Sequence, residues 1–239
     1  MLDELIKEPF LGFDKKAITF LRALEKPKNN NKEWFDENRE TYETYIKKPV
    51  RDLIDVLAPQ ILKIDPDIVV NYKSIFRINR DIRFSKDKHP YKTYVSFAFA
   101  FGRVKSSEIP QFYFHFSPKE FISAGGQYSS DPNMLKRIRK YIMKNFAEYL
   151  SITTDKKFKR LYGQVQGNSL TKMPKEYQHL EKEGADKKLL DTLKMKQFYV
   201  YKDFDPKIVL TPKMTETVIN EIKNLHDFTK FLDKACKSK

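Results

Sequence analysis

Apolar and polar positions alternate with period two in four successive stretches between residues 75 and 128, and with helical spacing on either side of them. In the first stretch Phe76, Ile78, Arg80, Ile82 and Phe84 share one face, and Arg77, Asn79, Asp81 and Arg83 share the other. The second, Tyr94 to Gly102, sets Val95, Phe97, Phe99 and Phe101 against Ser96, Ala98, Ala100 and Gly102. The third sets Phe112, Phe114 and Phe116 against Gln111, Tyr113, His115 and Ser117. The fourth runs from Phe121 to Tyr128 through Gly125-Gly126. Strands joined by short, turn-rich links predict an antiparallel meander over 94–127, paired with a strand over 75–84.

Helical spacing brackets this block. After a loose lead-in over 1–12, Asp14 is placed to cap a helix with Ala17, Ile18, Phe20, Leu21 and Leu24 as its stripe. Asn30, three residues before Glu33, resembles a capping box for a helix carrying Trp34, Phe35, Asn38, Tyr42 and Tyr45. Pro49 opens a third helix, which Pro59 is expected to kink or shorten. Asp131-Pro132 starts a helix to about Asn145. Residues 151–183 read as irregular. A helix over 185–195, a strand over 197–201 and a last helix from Thr211-Pro212 come next, with a lysine-rich tail expected to fray. The pattern predicts one α+β domain over 1–239, with its core over about 10–235. In it an antiparallel sheet packs with helices from the N- and C-terminal parts.

Charge sharpens the picture. The 239 residues carry 46 Lys and Arg against 32 Asp and Glu, a net charge of +14, beside 19 Phe and 13 Tyr. So many aromatics supply a real core, and the charge favours anionic partners. One cysteine, Cys236, excludes an internal disulfide and a Cys-based zinc site. The start, Met1-Leu2-Asp3-Glu4-Leu5, lacks a basic region followed by an apolar run. No stretch approaches the roughly 18 apolar residues of a membrane span. The expectation is a cytoplasmic protein with no membrane partner, no cofactor and no metal.

Familiar catalytic signatures are absent: no phosphate-binding glycine loop, no nucleophile elbow, no paired metal-binding histidines. The four histidines, His89, His115, His179 and His226, are scattered. The first alternating stretch is the least ordinary feature. Arg80 stands at the centre of its apolar face, and an arginine there needs a carboxylate, carbonyls or a bound anion. Asp81 lies among Arg77, Arg80 and Arg83, which keeps it ionised and suits it to orienting a guanidinium. Arg77, Arg80, Asp81, Arg83, Lys88, Tyr91 and Lys92 are therefore the candidate ligand-binding set. A network of salt bridges pinning the loop 85–92 explains the same cluster.

Two further candidates stand beside it. The small-residue face of 96–102 is either covered by close packing or forms a groove lined by Tyr113 and His115. On the helix over 132–145, Lys136, Arg137, Arg139, Lys140 and Lys144 fall on one face with no acid among them, a candidate for nucleic-acid contact.

The run Arg77-x-x-Arg80-Asp81-x-Arg83-Phe84-x-x-Asp87-Lys88-x-x-Tyr91 resembles the signature of the bacterial family called domain of unknown function 2461. Asn30-Asn31 with Trp34-Phe35, Asn38 and Tyr42 is similar to its N-terminal block. Gly125 and the helix with Leu135, Ile138 and Arg139 fit too, and Leu170, Met173-Pro174-Lys175 and Leu193-Lys194-Met195-Lys196 resemble its C-terminal block. That block usually reads Pro-Lys-Gly, and here Glu176 stands in the place of the glycine. The resemblance spans nearly the whole chain. It implies a free-standing bacterial-type soluble protein with its site at the central motif, and no particular reaction.

The function these features support is binding of an anionic small molecule, phosphorylated or carboxylated, either as a binder or as an enzyme. The alternatives are a nucleic-acid-binding module using the basic helix 132–145, and a structural protein whose motif is only a salt-bridge network.

Overall fold

Five strands form one antiparallel sheet in chain order: β1 (Ile68–Val69), β2 (Val95–Phe101), β3 (Gln111–Phe116), β4 (Phe121–Gln127) and β5 (Phe198–Phe204). The computed structural model describes residues 8–106, 108–129 and 131–238. The expected meander and its packing with N- and C-terminal helices are present. Within this fold the chain divides into two compact units. The first comprises Met1–Val104, Tyr113–Ser123 and Asp203–Lys223, and the second Lys105–Phe112, Ala124–Lys202 and Asn224–Lys239.

In the first unit, helix α1 (Lys15–Leu24) begins where the Asp14 carboxylate accepts the Lys16 N–H at 2.7 Å, and it buries Ala17, Phe20, Leu21 and Leu24. Helix α2 (Lys32–Glu37) is capped by Asn31, whose side chain accepts the Trp34 N–H, and not by Asn30 as the spacing to Glu33 predicts. Asn30 is buried and spends its amide elsewhere. A short helix α3 (Arg39–Tyr42) runs through a π-helical turn, Glu43–Lys47, into α4 (Lys48–Ile64). The wide turn falls where the Pro49 ring would otherwise crowd an α-helical carbonyl four residues back. Pro59 does not shorten α4: Leu57 and Ile61, both fully buried, hold the helix on either side of it.

Of the lead-in over 1–12, residues 1–7, and with them the N-terminal reading, lie outside the described residues. The remainder is not loose. Phe10 is buried with its ring 5.2 Å from Phe13, and the Phe13 N–H bonds the Val209 carbonyl at 2.8 Å.

Every residue of β2 is buried. Its bulky face stacks Phe97 on Phe114 at 5.3 Å. Its small face is packed rather than open: Ala98 and Ala100 are inaccessible, and Phe76 and Tyr113 bring their rings to 5.9 Å beside Ser96. Close packing therefore covers this face, and no groove opens at the two alanines.

The strand expected over 75–84 is not a regular strand. β1 takes the far end of that edge of β2, with Ile68 opposite Phe101 and Val69 opposite Ala100. Ile75 bridges to Phe97 and the Phe76 N–H bonds the Ser96 carbonyl at 2.9 Å, and the chain then leaves the sheet. Residues 78–80 turn back on 90–92 instead, with Asn79 opposite Tyr91, Arg80 N–H on the Pro90 carbonyl and Lys92 N–H on the Ile78 carbonyl, both at 2.8 Å. Alternation alone does not hold a strand in a sheet; it needs a covered apolar face, and Phe84 at the far end is 95% exposed.

The second unit carries helices α5 (Pro132–Lys144), α6 (Phe146–Thr153), α7 (Lys156–Tyr162), α8 (Gln178–Lys182) and α9 (Lys187–Lys194), together with the later part of α10 (Lys213–Lys237). Residues 151–183 are thus partly helical. The basic run 156–160 is a helix capped by Asp155 that buries Phe158 and Tyr162. The tail stays helical through Lys237, whose ammonium meets Asp233 at 2.5 Å. Gly126 in β4 has φ +113°, and a Cβ there would lie 2.2 Å from the Phe198 carbonyl oxygen, so only glycine fits.

On α5, Arg139 does not share the exposed basic face. It is buried and donates from Nη2 to the Met195 carbonyl at 2.9 Å. At 100° per residue it stands beside Leu135 and Ile142, close enough for its stem to join the apolar side. Lys136 lies 3.8 Å from Glu176, so the face also has an acid beside it.

Candidate functional site

The arm made by 78–80 and 90–92 exists because a buried side chain holds it. Asn30 Oδ1 accepts the Tyr91 N–H at 3.0 Å, and its Nδ2 donates to the Tyr91 carbonyl at 3.0 Å and to the Leu24 carbonyl at 3.1 Å. This amide stands in for a strand neighbour. The Tyr91 ring is stacked 4.1 Å above Phe35, and burial raises its hydroxyl's pKa above the usual value.

Between this clamp and the loop 81–89 opens a cleft of about 410 Å³. Leu24, Glu25 and Asn30 form one wall; Arg80, Asp87, His89 and Tyr91 to Tyr94 form the rest. Arg80 Nη1 donates to Asp87 Oδ2 at 2.5 Å and to the His89 carbonyl at 3.0 Å. The partner demanded by its position is thus Asp87, not Asp81, and a quarter of its side chain remains exposed (26%). Asp87 Oδ1 accepts the His89 backbone N–H at 3.0 Å and lies 2.5 Å from the ring Nδ1. The backbone N–H of His89, then the Arg80 guanidinium and the His89 ring, pull the Asp87 pKa down from 3.8 to about 2. The Lys92 ammonium sits 5.3 Å from the Phe76 ring centre and 5.8 Å from that of Tyr94. Glu25 pairs with Lys119 at 3.1 Å.

Of the seven motif residues, Arg80, Tyr91 and Lys92 reach this cleft. Asp81 and Arg83 engage each other on the exposed loop: Nε donates to Oδ1 at 3.0 Å and Nη2 to Oδ2 at 2.7 Å. That guanidinium, with the Arg83 backbone N–H, lowers the Asp81 pKa to about 2. Lys88 Nζ donates to the Ile82 carbonyl at 3.1 Å. Arg77 is exposed and forms no hydrogen bond or ion pair with a described residue. Tyr113 and His115 do not line the cleft. His115 Nε2 meets Glu120 at 2.9 Å, and the ring packs between Tyr94 and Tyr113.

A family model matches residues 16–231. The chain belongs to the family described as conserved hypothetical protein, DUF2461. A search of curated proteins finds no match. In this DUF2461 chain the match spans the clamp, the arm and the cleft alike. Among the described residues no group of three or more His, Cys, Asp or Glu is arranged to hold a metal ion. Nor is any helix there long and apolar enough to cross a membrane.

The motif by itself does not single out Asp87 and His89 as a pair, nor Asn30 as the clamp. The pair carries a local signal: a carboxylate two residues before a histidine, with Pro90 stiffening the backbone beyond it. The clamp carries none, because its partner is 61 residues away.

Proposed function

We propose that the cleft binds an anionic small molecule through a phosphate or carboxylate group, with Arg80 and Lys92 as its cationic contacts. One observation carries this reading. Two cationic side chains, Arg80 and Lys92, line one cleft, with a quarter of the Arg80 side chain exposed and the Lys92 ammonium against the Phe76 and Tyr94 rings. From residue 77 to 92 six Lys or Arg stand against two Asp, which raises the local concentration of anions at the loop.

The pairing of Asp81 with Arg83 and of Asp87 with Arg80 favours a second reading, in which the motif is a structural network only. Thermal melting with and without inorganic phosphate and small phosphorylated or carboxylated compounds separates the two. A bound anion stabilises by RT ln(1 + [L]/Kd), and that gain should disappear in Lys92→Met, which leaves both acid–arginine pairs in place. A wild type that melts at the same temperature in every anion tried leaves the network reading standing.

A further inference from the structure

Asp87 and His89 form a unit that anion binding alone does not use. Asp87 Oδ1 contacts both the backbone N–H and Nδ1 of His89, so the ring is fixed in orientation and its Nδ1 carries a proton toward the carboxylate. Nε2 is left as the basic nitrogen, and the side chain is 41% exposed, open to solvent and to the cleft. Arg80 ties the arrangement together by bonding Asp87 and the His89 carbonyl from the same nitrogen. We infer that the cleft is a hydrolytic site for small phosphate monoesters, in which His89 Nε2 is the catalytic acid–base group and Asp87 its positioning residue.

The substrate class comes from proximity. An anion held by Arg80 lies beside the imidazole, because the guanidinium is bonded to the backbone of His89 itself. The anionic group is therefore the reacting group, and a phosphate monoester is an anion whose own bonds water can break. The acceptor is water because the walls are mostly polar side chains open to solvent. In the step, a water oxygen forms a bond to phosphorus as Nε2 takes one of its protons. The phosphorus–oxygen bond to the alcohol breaks, its electron pair goes to the leaving oxygen, and Nε2 returns the proton there. The products are an alcohol and inorganic phosphate, and His89 ends as it began. Arg80 and Lys92 offset the charge on the phosphoryl oxygens. The charged and titratable groups facing His89 in the cleft are Asp87, Arg80, Lys92, Glu25, Tyr91 and Tyr94.

Hydrolysis here rests on the anion-binding reading, and the experiment keeps the two apart. Turnover of p-nitrophenyl phosphate and of a panel of sugar and nucleoside monophosphates is followed alongside the melting shift in inorganic phosphate, for wild type, His89→Gln, Asp87→Asn and Asp87→Glu. Expected is turnover by wild type and a loss of about 10²- to 10⁴-fold in kcat for His89→Gln with its phosphate shift retained. Asp87→Asn should lower kcat with KM little changed, and Asp87→Glu should restore part of the loss. A purely structural role for Asp87 would lower the melting temperature without that split between kcat and KM. Phosphate stabilisation without hydrolysis of any ester, or a His89→Gln variant as active as wild type, overturns the catalytic inference and spares the binding reading. No phosphate effect on wild type overturns both.

Discussion

Asn30 and Tyr91 exchange a pair of hydrogen bonds, Oδ1 with the Tyr91 N–H and Nδ2 with the Tyr91 carbonyl, each 3.0 Å long. A side-chain amide thus completes the backbone pairing of the arm that walls the cleft. Replacing it by alanine strands three buried main-chain groups, those of Tyr91 and the Leu24 carbonyl. Asn30→Ala is expected to cost about 2–4 kcal/mol in denaturant unfolding. Amide exchange at Tyr91 should rise with it. A loss under about 1 kcal/mol would mean that water replaces the clamp.

Arg80→Met tests the role of the Arg80–Asp87 pair. Asp87 is half exposed (52%), so the carboxylate left behind turns to solvent and the global melting temperature should stay close to that of wild type. The local effect is larger: hydrogen exchange over 81–89 should accelerate and the phosphate shift should fall. Melting far below wild type with unchanged exchange in this loop would contradict the assignment.

Acid should loosen the same loop. Asp81 and Asp87 both titrate at about 2 in the fold, against 3.8 for the free carboxyl. Their folded values are depressed. Their stabilisation is therefore complete above about pH 4 and is lost as the pH falls through about 2. The Arg83 and His89 amide resonances, which report the two carboxylates directly, should move with midpoints nearer 2 than 4. A midpoint at 4 or above would show the pairs to be absent in solution.

Arg139→Met probes a buried charge. Arg139 donates to the Met195 carbonyl, while its Nε is buried without a partner among the described residues, and burial lowers its pKa. A methionine keeps the apolar stem and removes the cost of burying the charge. The variant is expected to melt at or above the wild-type temperature. A marked drop would show that the bond to Met195 outweighs that cost.

The alternating phenylalanines of 95–101, 111–116 and 121–127 announce their strands because each presents a bulky apolar side every second residue, and that side has to be buried. Asp14 and Asp131 announce helix starts for a reason just as local: a carboxylate reaches an N–H two or three residues on. The family is legible as well: the resemblance read from the sequence agrees with the family model that matches residues 16–231.

The stretch 76–84 shows where such reading stops. Its alternation is as regular as that of β2, yet it leaves the sheet after Phe76, whose N–H bonds the Ser96 carbonyl next to the start of β2, and Pro90 to Lys92 supply its partner from there. Which acid meets Arg80 depends on how the loop closes, and that closure brings Asp87 to it rather than the adjacent Asp81. Arg139 groups with its basic neighbours by helical angle, and angle alone does not say how wide the covered stripe is. The sequence by itself determined the family and the features that a few neighbouring residues settle, strand faces and helix caps. The tertiary structure alone decided the Asn30 clamp, the cleft and the Asp87–His89 pair within it, because these depend on segments far apart in the chain meeting, and period and spacing do not encode which segments meet.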